Sequence, residues 1–320
     1  MLEDWGCRAE RWAGVRSEVI DVRGTAVHTL RAGDDRIGLP LLLVHGLAGA
    51  ASNWLEVLPR LAEDRPVLAM DLPGFGRTEP PRQEAARVGA NARFLRALLD
   101  EVGWDEVEVH GNSMGGLLSV MFAAREPGRV AQLVLVSPAL TAARRDMTQL
   151  NSQTFTQFAP FLLQGLGGML LKRAYTRLTP EQLYDQAAEY LHGDPARVSP
   201  EIAAVILENV QFGRDTAWRL PSFAVAANSL VRAVTTRRQL ERAIEAVATP
   251  TLVVWGDRDK LIGRPVIDRV QHLRPDWRIE VLEGVGHVAM LEVPDRYLEV
   301  VDAGAVTRVP GSRGLRFTVA

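Results

Sequence analysis

Val107-Glu108-Val109-His110-Gly111-Asn112-Ser113-Met114-Gly115-Gly116-Leu117-Leu118 is the stretch on which the fold turns. Val107–His110 has the composition of a strand, and Leu117–Arg125 has the apolar spacing of a helix that Pro127-Gly128 ends. Between them lies G-x-S-x-G. A serine on a tight strand-to-helix turn projects its hydroxyl from the sheet edge. Glycines two residues before and after let strand and helix approach without a Cβ clash. Composition alone produces this spacing in roughly one chain in ten of this length. Its strand–turn–helix setting is what marks Ser113 as a nucleophile.

Working outward, short apolar runs alternate with segments of helical period. The expected strands are Glu18–Val22, Val27–Ala32, Leu41–His45, Val67–Asp71, Val107–His110, Leu133–Ser137, Leu252–Trp255 and Arg278–Leu282. Leu41-Leu42-Leu43-Val44 and Leu133-Val134-Leu135-Val136 are continuously apolar, as strands are when helices cover both sheet faces. Asn91–Val102 carries Phe94, Leu95, Leu98 and Leu99 at helical spacing. The order predicts an α/β fold with a mostly parallel eight-stranded sheet flanked by helices. The short link through Gly24 predicts an antiparallel hairpin at its edge. The rhythm breaks between Pro138 and Gln239, a stretch rich in Leu, Phe, Ala and Gln and punctuated by prolines. It reads as an inserted helical cap over 138–239, with the core in 1–137 and 240–320.

Three further positions carry chemistry. His45-Gly46-Leu47-Ala48-Gly49 follows the third strand. Acyl transfer needs two backbone N–H donors aimed at a developing oxyanion, and Leu47 and Met114 are the candidates. The plainer reading is a glycine-containing loop. A serine hydroxyl also needs an adjacent base, and histidine has the suitable pKa. Of the six histidines, His287 alone follows the last expected strand in a glycine loop, Gly284-Val285-Gly286-His287. The acid that orients it comes from Trp255-Gly256-Asp257-Arg258-Asp259. Asp259 is favoured and Asp257 is the alternative, the other serving as a turn residue.

Taken together these segments resemble the cap-bearing serine hydrolases of the α/β-hydrolase superfamily. His45-Gly46, Asp71-Leu72-Pro73-Gly74-Phe75-Gly76-Arg77-Thr78, Gly111-Asn112-Ser113-Met114-Gly115-Gly116, Trp255-Gly256-Asp257-Arg258-Asp259 and Gly286-His287 occur in that family's order, over about residues 18–303. The resemblance implies a Ser113–His287–Asp259 triad, a structural role for the Asp71 loop and no cofactor. Relatives acting on haloalkanes or epoxides use aspartate at the elbow, so Ser113 points to carboxylic ester hydrolysis of a small to medium apolar substrate. The alternative is C–C bond hydrolysis of the meta-cleavage type, where Gly-Asn-Ser-Met-Gly-Gly is common. Against it, Val288 stands where those enzymes carry tryptophan, and Leu47-Ala48-Gly49 is less glycine-rich than their loop. Thioester, lactone or amide chemistry and a non-catalytic binding module are remoter alternatives. Around the serine, His45, Asn112, Phe158, Phe161, Leu162 and Val288 are the candidate pocket residues, although the cap aromatics read equally as packing onto the core.

Bulk composition fits this reading. The chain has 320 residues, 37 basic against 39 acidic, a net charge of −2 and one cysteine. No electrostatic case exists for nucleic acid, and no intrachain disulfide can form. No metal is expected, since no histidine or cysteine has metal-ligand spacing. Met1-Leu2-Glu3-Asp4-Trp5 lacks the pattern of a signal peptide, so a cytoplasmic protein is expected. The apolar stretch from Phe158 to Leu171 is broken by Gln164 and glycines and falls short of the roughly 20 residues of a stable membrane span. The expected partners are a small ester-like molecule and a second copy of the chain in a homodimer.

Overall fold

The computed structural model of the chain describes residues 4–142 and 166–304. One eight-stranded sheet runs through it: β1 (Arg16–Val22), β2 (Thr25–Ala32), β3 (Leu41–Val44), β4 (Val67–Met70), β5 (Val107–Asn112), β6 (Val130–Val136), β7 (Thr251–Gly256) and β8 (Arg278–Leu282). The spatial order is β1-β2-β4-β3-β5-β6-β7-β8. β2 pairs antiparallel with β1 and β4, and every other pairing is parallel. The β1–β2 hairpin turns at Arg23 and Gly24, with φ of 52° and 80°. Two consecutive positive-φ residues match the right-handed twist of the paired strands.

The continuous apolar runs have the expected cause. Leu42 and Val44 of β3 enter one core layer, and Leu41 and Leu43 enter the other. In β6, Leu133 and Leu135 divide from Val134 and Val136 in the same way. Successive side chains point to opposite faces, and both faces are covered.

Helix α1 (Val88–Glu101) and helix α2 (Met114–Arg125) cover one face. Both begin three residues before their expected starts at Asn91 and Leu117. Between β6 and β7 the described residues hold α3 (Leu166–Arg177), α4 (Pro180–Leu191), α5 (Pro200–Asp215), α6 (Arg219–Thr235) and α7 (Arg237–Ala246), and no strand. Thr179 caps α4 by accepting from the Gln182 N–H, and the Gln182 side chain accepts from the Thr179 N–H. Ser199 caps α5, and both helices have proline at the first position. Helix α8 (Arg264–Leu273) follows β7, and helix α9 (Pro294–Gly304) follows β8. No described helix is long and apolar enough to cross a membrane.

A buried polar chain fixes β5, the strand that leads to Ser113. Arg65 Nη1 donates to Glu108 at 2.6 Å, and His110 Nε2–H donates to the other Glu108 oxygen at 2.7 Å. The Tyr297 hydroxyl of α9 closes the chain on His110 Nδ1 at 2.7 Å. Burial opposes the Glu108 charge, but His110 and Arg65 outweigh it and lower its pKa. Burial, with Glu108 nearby, pushes the Tyr297 phenol well above its ordinary value.

Candidate active site

Ser113 sits between β5 and α2 with φ 54° and ψ −114°. A non-glycine residue in this region is strained, and the surroundings must hold it there. They do so through the backbone: the Ser113 N–H donates to Val136 O at 2.9 Å, and Ser113 O accepts from Ala139 at 2.9 Å. Gly115 has no room for a side chain, because a Cβ would lie 2.2 Å from the Val44 carbonyl oxygen. The glycine thus seats α2 directly against the end of β3. Ser113 is half-buried.

His287 lies in the loop after β8, and Asp259 lies in the loop after β7. His287 Nδ1–H donates to Asp259 Oδ2 at 2.8 Å. Both are buried, with 3% and 8% of their surface exposed. The other carboxylate oxygen accepts the Leu261 and Ile262 N–H groups at 2.8 and 2.9 Å, so Asp259 has a fixed orientation. Asp257 instead accepts the Gly284 N–H at 2.7 Å in an exposed turn. Asn112 links serine to histidine: its Nδ2 donates to Val136 O at 3.2 Å and to His287 O at 3.1 Å.

The loop after β3 packs against the serine. A Cβ on Gly46 would lie 3.1 Å from Ser113 Cβ. His45 shapes this loop from within. Its Nδ1–H donates to Gly46 O at 2.7 Å, and its Nε2 accepts the Leu72 N–H at 3.1 Å. Burial lowers its pKa to about 4, against the pull of Asp71 and the Gly46 carbonyl, so the ring is neutral. Ala48 holds φ 62° and Leu47 is partly exposed. Met114 is the first residue of α2, where an N–H has no intrahelical acceptor. Below the loop, Asp71 accepts from Ala51 N at 2.6 Å, Arg77 N at 2.8 Å and His28 Nδ1 at 2.7 Å. Burial raises its pKa, but these partners prevail and hold it below the ordinary value.

The candidate pocket residues fare differently. His45 and Asn112 are buried and turn their polar atoms to backbone groups. Val288 is buried at the start of the short Ala289–Glu292 helix. Phe158, Phe161 and Leu162 lie outside the described residues. Of two further residues next to the site, Glu292 escaped the sequence reading and His192 was passed over as the base. Glu292, five residues past His287, is buried and accepts four hydrogen bonds. His192, at the end of α4, is buried, and burial lowers its pKa to about 4. Among the described residues, no group of three or more His, Cys, Asp or Glu is placed to hold a metal ion.

Residues 40–294 match the family described as the alpha/beta hydrolase fold. The chain belongs to the α/β-hydrolase fold family. A 2-hydroxy-6-oxononadienedioate/2-hydroxy-6-oxononatrienedioate hydrolase of Dechloromonas aromatica is 28% identical to it over 265 residues, 82% of this chain and 84% of that protein. Lipase 1 of Psychrobacter immobilis is 28% identical over 278 residues, 83% of this chain and 79% of the lipase. Among solved structures, the 2-hydroxy-6-oxo-6-phenylhexa-2,4-dienoate hydrolase of Rhodococcus sp. strain RHA1 superposes with a TM-score of 0.72 at 22% identity, over 91% of this chain and 98% of that one. That likeness is one of fold. The α/β-hydrolase order of serine, acid and histidine along the chain is the order found here.

Proposed function

We propose that this α/β-hydrolase cleaves carboxylic esters of small to medium apolar substrates through an acyl-enzyme on Ser113. The observation that carries the proposal is the buried Asp259–His287 contact of 2.8 Å, tethered through Asn112 to the backbone beside Ser113. Because Nδ1–H is committed to Asp259, the neutral ring presents the lone pair of Nε2 as the base. In this reading His287 takes the Ser113 proton as the hydroxyl attacks the ester carbonyl. The N–H groups of Leu47 and Met114 hold the oxyanion. Protonated His287 then gives its proton to the departing alcohol. Water activated by the same ring releases the acid and restores Ser113.

The helices between β6 and β7 act in this proposal as a cap over the serine. The occupant of the site is a small molecule, and the enzyme works in the cytoplasm as a homodimer. The second reading is C–C bond hydrolysis, favoured by the similarity to a relative named for that class of dienoate substrate. Val288 stands against it. A panel of p-nitrophenyl esters of increasing chain length, run beside a vinylogous 1,5-diketone, separates the two. Ester turnover that disappears in Ser113→Ala, with the diketone untouched, is the expected result. Preferential cleavage of the diketone selects the second reading, and turnover that survives Ser113→Ala removes both.

A further inference from the structure

Both loops that carry the histidine and the acid of the triad end on one helix of the cap. The last carbonyls of a helix lack intrahelical partners. In α4 two of them are taken by these loops: the His287 N–H donates to Leu191 O at 2.7 Å, and Lys260 Nζ donates to Glu189 O at 2.6 Å. Lys260 follows Asp259 directly. The chain after α4 then runs against the histidine loop with no clearance. A Cβ on Gly193 would lie 2.6 Å from Gly284 O, and a Cβ on Gly286 would lie 2.5 Å from Gly193 N.

Glu292 closes this joint. Its Oε2 accepts the N–H of Gly193 and the N–H of Gly286, each at 2.9 Å. Its Oε1 accepts the Asp194 N–H at 3.0 Å and Arg197 Nη1 at 3.3 Å. One buried carboxylate therefore binds the cap side and the residue before His287 through the same oxygen. A carboxylate is acceptor-only and suits a site made of donors. His192 Nδ1 stands 4.0 Å from it.

We propose that Glu292 is a positioning residue, which fixes the His287 loop by clamping it to the end of cap helix α4. The proposal rests on the assignment of Ser113 and His287 as nucleophile and base. It makes the geometry of His287 depend on a seated cap, even for a substrate too small to touch the cap.

The test compares wild type with Glu292→Gln, whose NH₂ faces N–H donors in place of an acceptor. With p-nitrophenyl acetate, kcat should fall by about 10²-fold, the cost of a misplaced catalytic group, while KM changes little. The rate of covalent labelling of Ser113 by an organophosphonate should fall in parallel, since it reports activation by His287 without turnover. Gly193→Ala pries the joint from the cap side and should give the same pattern, and the double variant should lose less than the product of the two. Glu292→Gln with wild-type labelling rate and acetate kcat overturns the proposal. So does an effect confined to KM for long esters, which marks Glu292 as cap packing only. If Glu292→Gln does not fold, Gly193→Ala carries the comparison alone, judged by the same two readouts. Failure of the catalytic assignment shows separately, as wild-type enzyme that carries no label on Ser113.

Discussion

Replacing Asp259 with asparagine tests the assignment of the acid most sharply, because the structure fixes what the new side chain must do. Asp259 Oδ1 accepts two backbone N–H groups, from Leu261 and Ile262, and the amide oxygen of asparagine can keep both. That leaves the NH₂ facing His287 Nδ1, where Oδ2 now accepts. An NH₂ only donates, so the neutral ring must move its proton to Nε2 and lose the lone pair that would receive the serine proton. Turnover should fall by about 10⁴, about 5 kcal/mol in the barrier. Stability should change little, since both backbone bonds survive. Asp259→Ala differs: it strands two N–H groups, at about 1–3 kcal/mol each, and should lower the melting temperature as well. Asp257→Asn keeps its acceptor for Gly284 and should leave kcat nearly intact. Steady-state kinetics on a p-nitrophenyl ester, with thermal unfolding of each variant, reads all three. An Asp259→Asn enzyme within about tenfold of wild type, or a large loss in Asp257→Asn, refutes the reasoning.

Stability should depend on pH through His45 and His192. Burial holds both near pKa 4 against 6.5 in the open chain, so between these values the unfolded state binds more protons. The histidine contribution should therefore fall as pH drops from 6.5 towards 4, by on the order of 3 kcal/mol per histidine, and below that the buried carboxylates Asp71 and Glu108, held low in the folded chain, should extend the loss. Urea unfolding across that range measures it. His192→Gln should flatten the slope, and a flat wild-type profile contradicts the account. Tyr297→Phe removes the hydroxyl that meets His110 Nδ1 and should cost about 1–3 kcal/mol. The ester kcat should be nearly unaffected, and a large kcat loss would give the Arg65–Glu108–His110–Tyr297 chain a part in catalysis.

The sheet was legible because its central strands are buried on both faces and therefore apolar without alternation. The elbow was legible because the close approach of strand and helix around Ser113 leaves room only for glycine at 111 and 115. The same glycines hid the start of α2: Gly115 and Gly116 read as turn residues, yet they open the helix because its backbone touches β3. Helix α1 was placed late for a related reason, since Gly89 and the lack of a side-chain cap erased its beginning. Asp259 and Asp257 were separable only in part from their spacing; their burial and partners distinguish them. Glu292 carried no signal, because three of its four partners, Gly193, Asp194 and Arg197, lie about 100 positions away, and the fourth, Gly286, reaches it by a backbone N–H that any residue would supply.

Ser113 as nucleophile is the central claim, and covalent labelling measures it most directly. The enzyme is treated with a fluorophosphonate and the adduct is mapped by peptide mass spectrometry, with Ser113→Ala in parallel. The account predicts one adduct, on the peptide carrying Gly111-Asn112-Ser113-Met114-Gly115, with loss of ester turnover in proportion to labelling and no adduct in the variant. Labelling at another residue, or full turnover in a fully labelled enzyme, would contradict it.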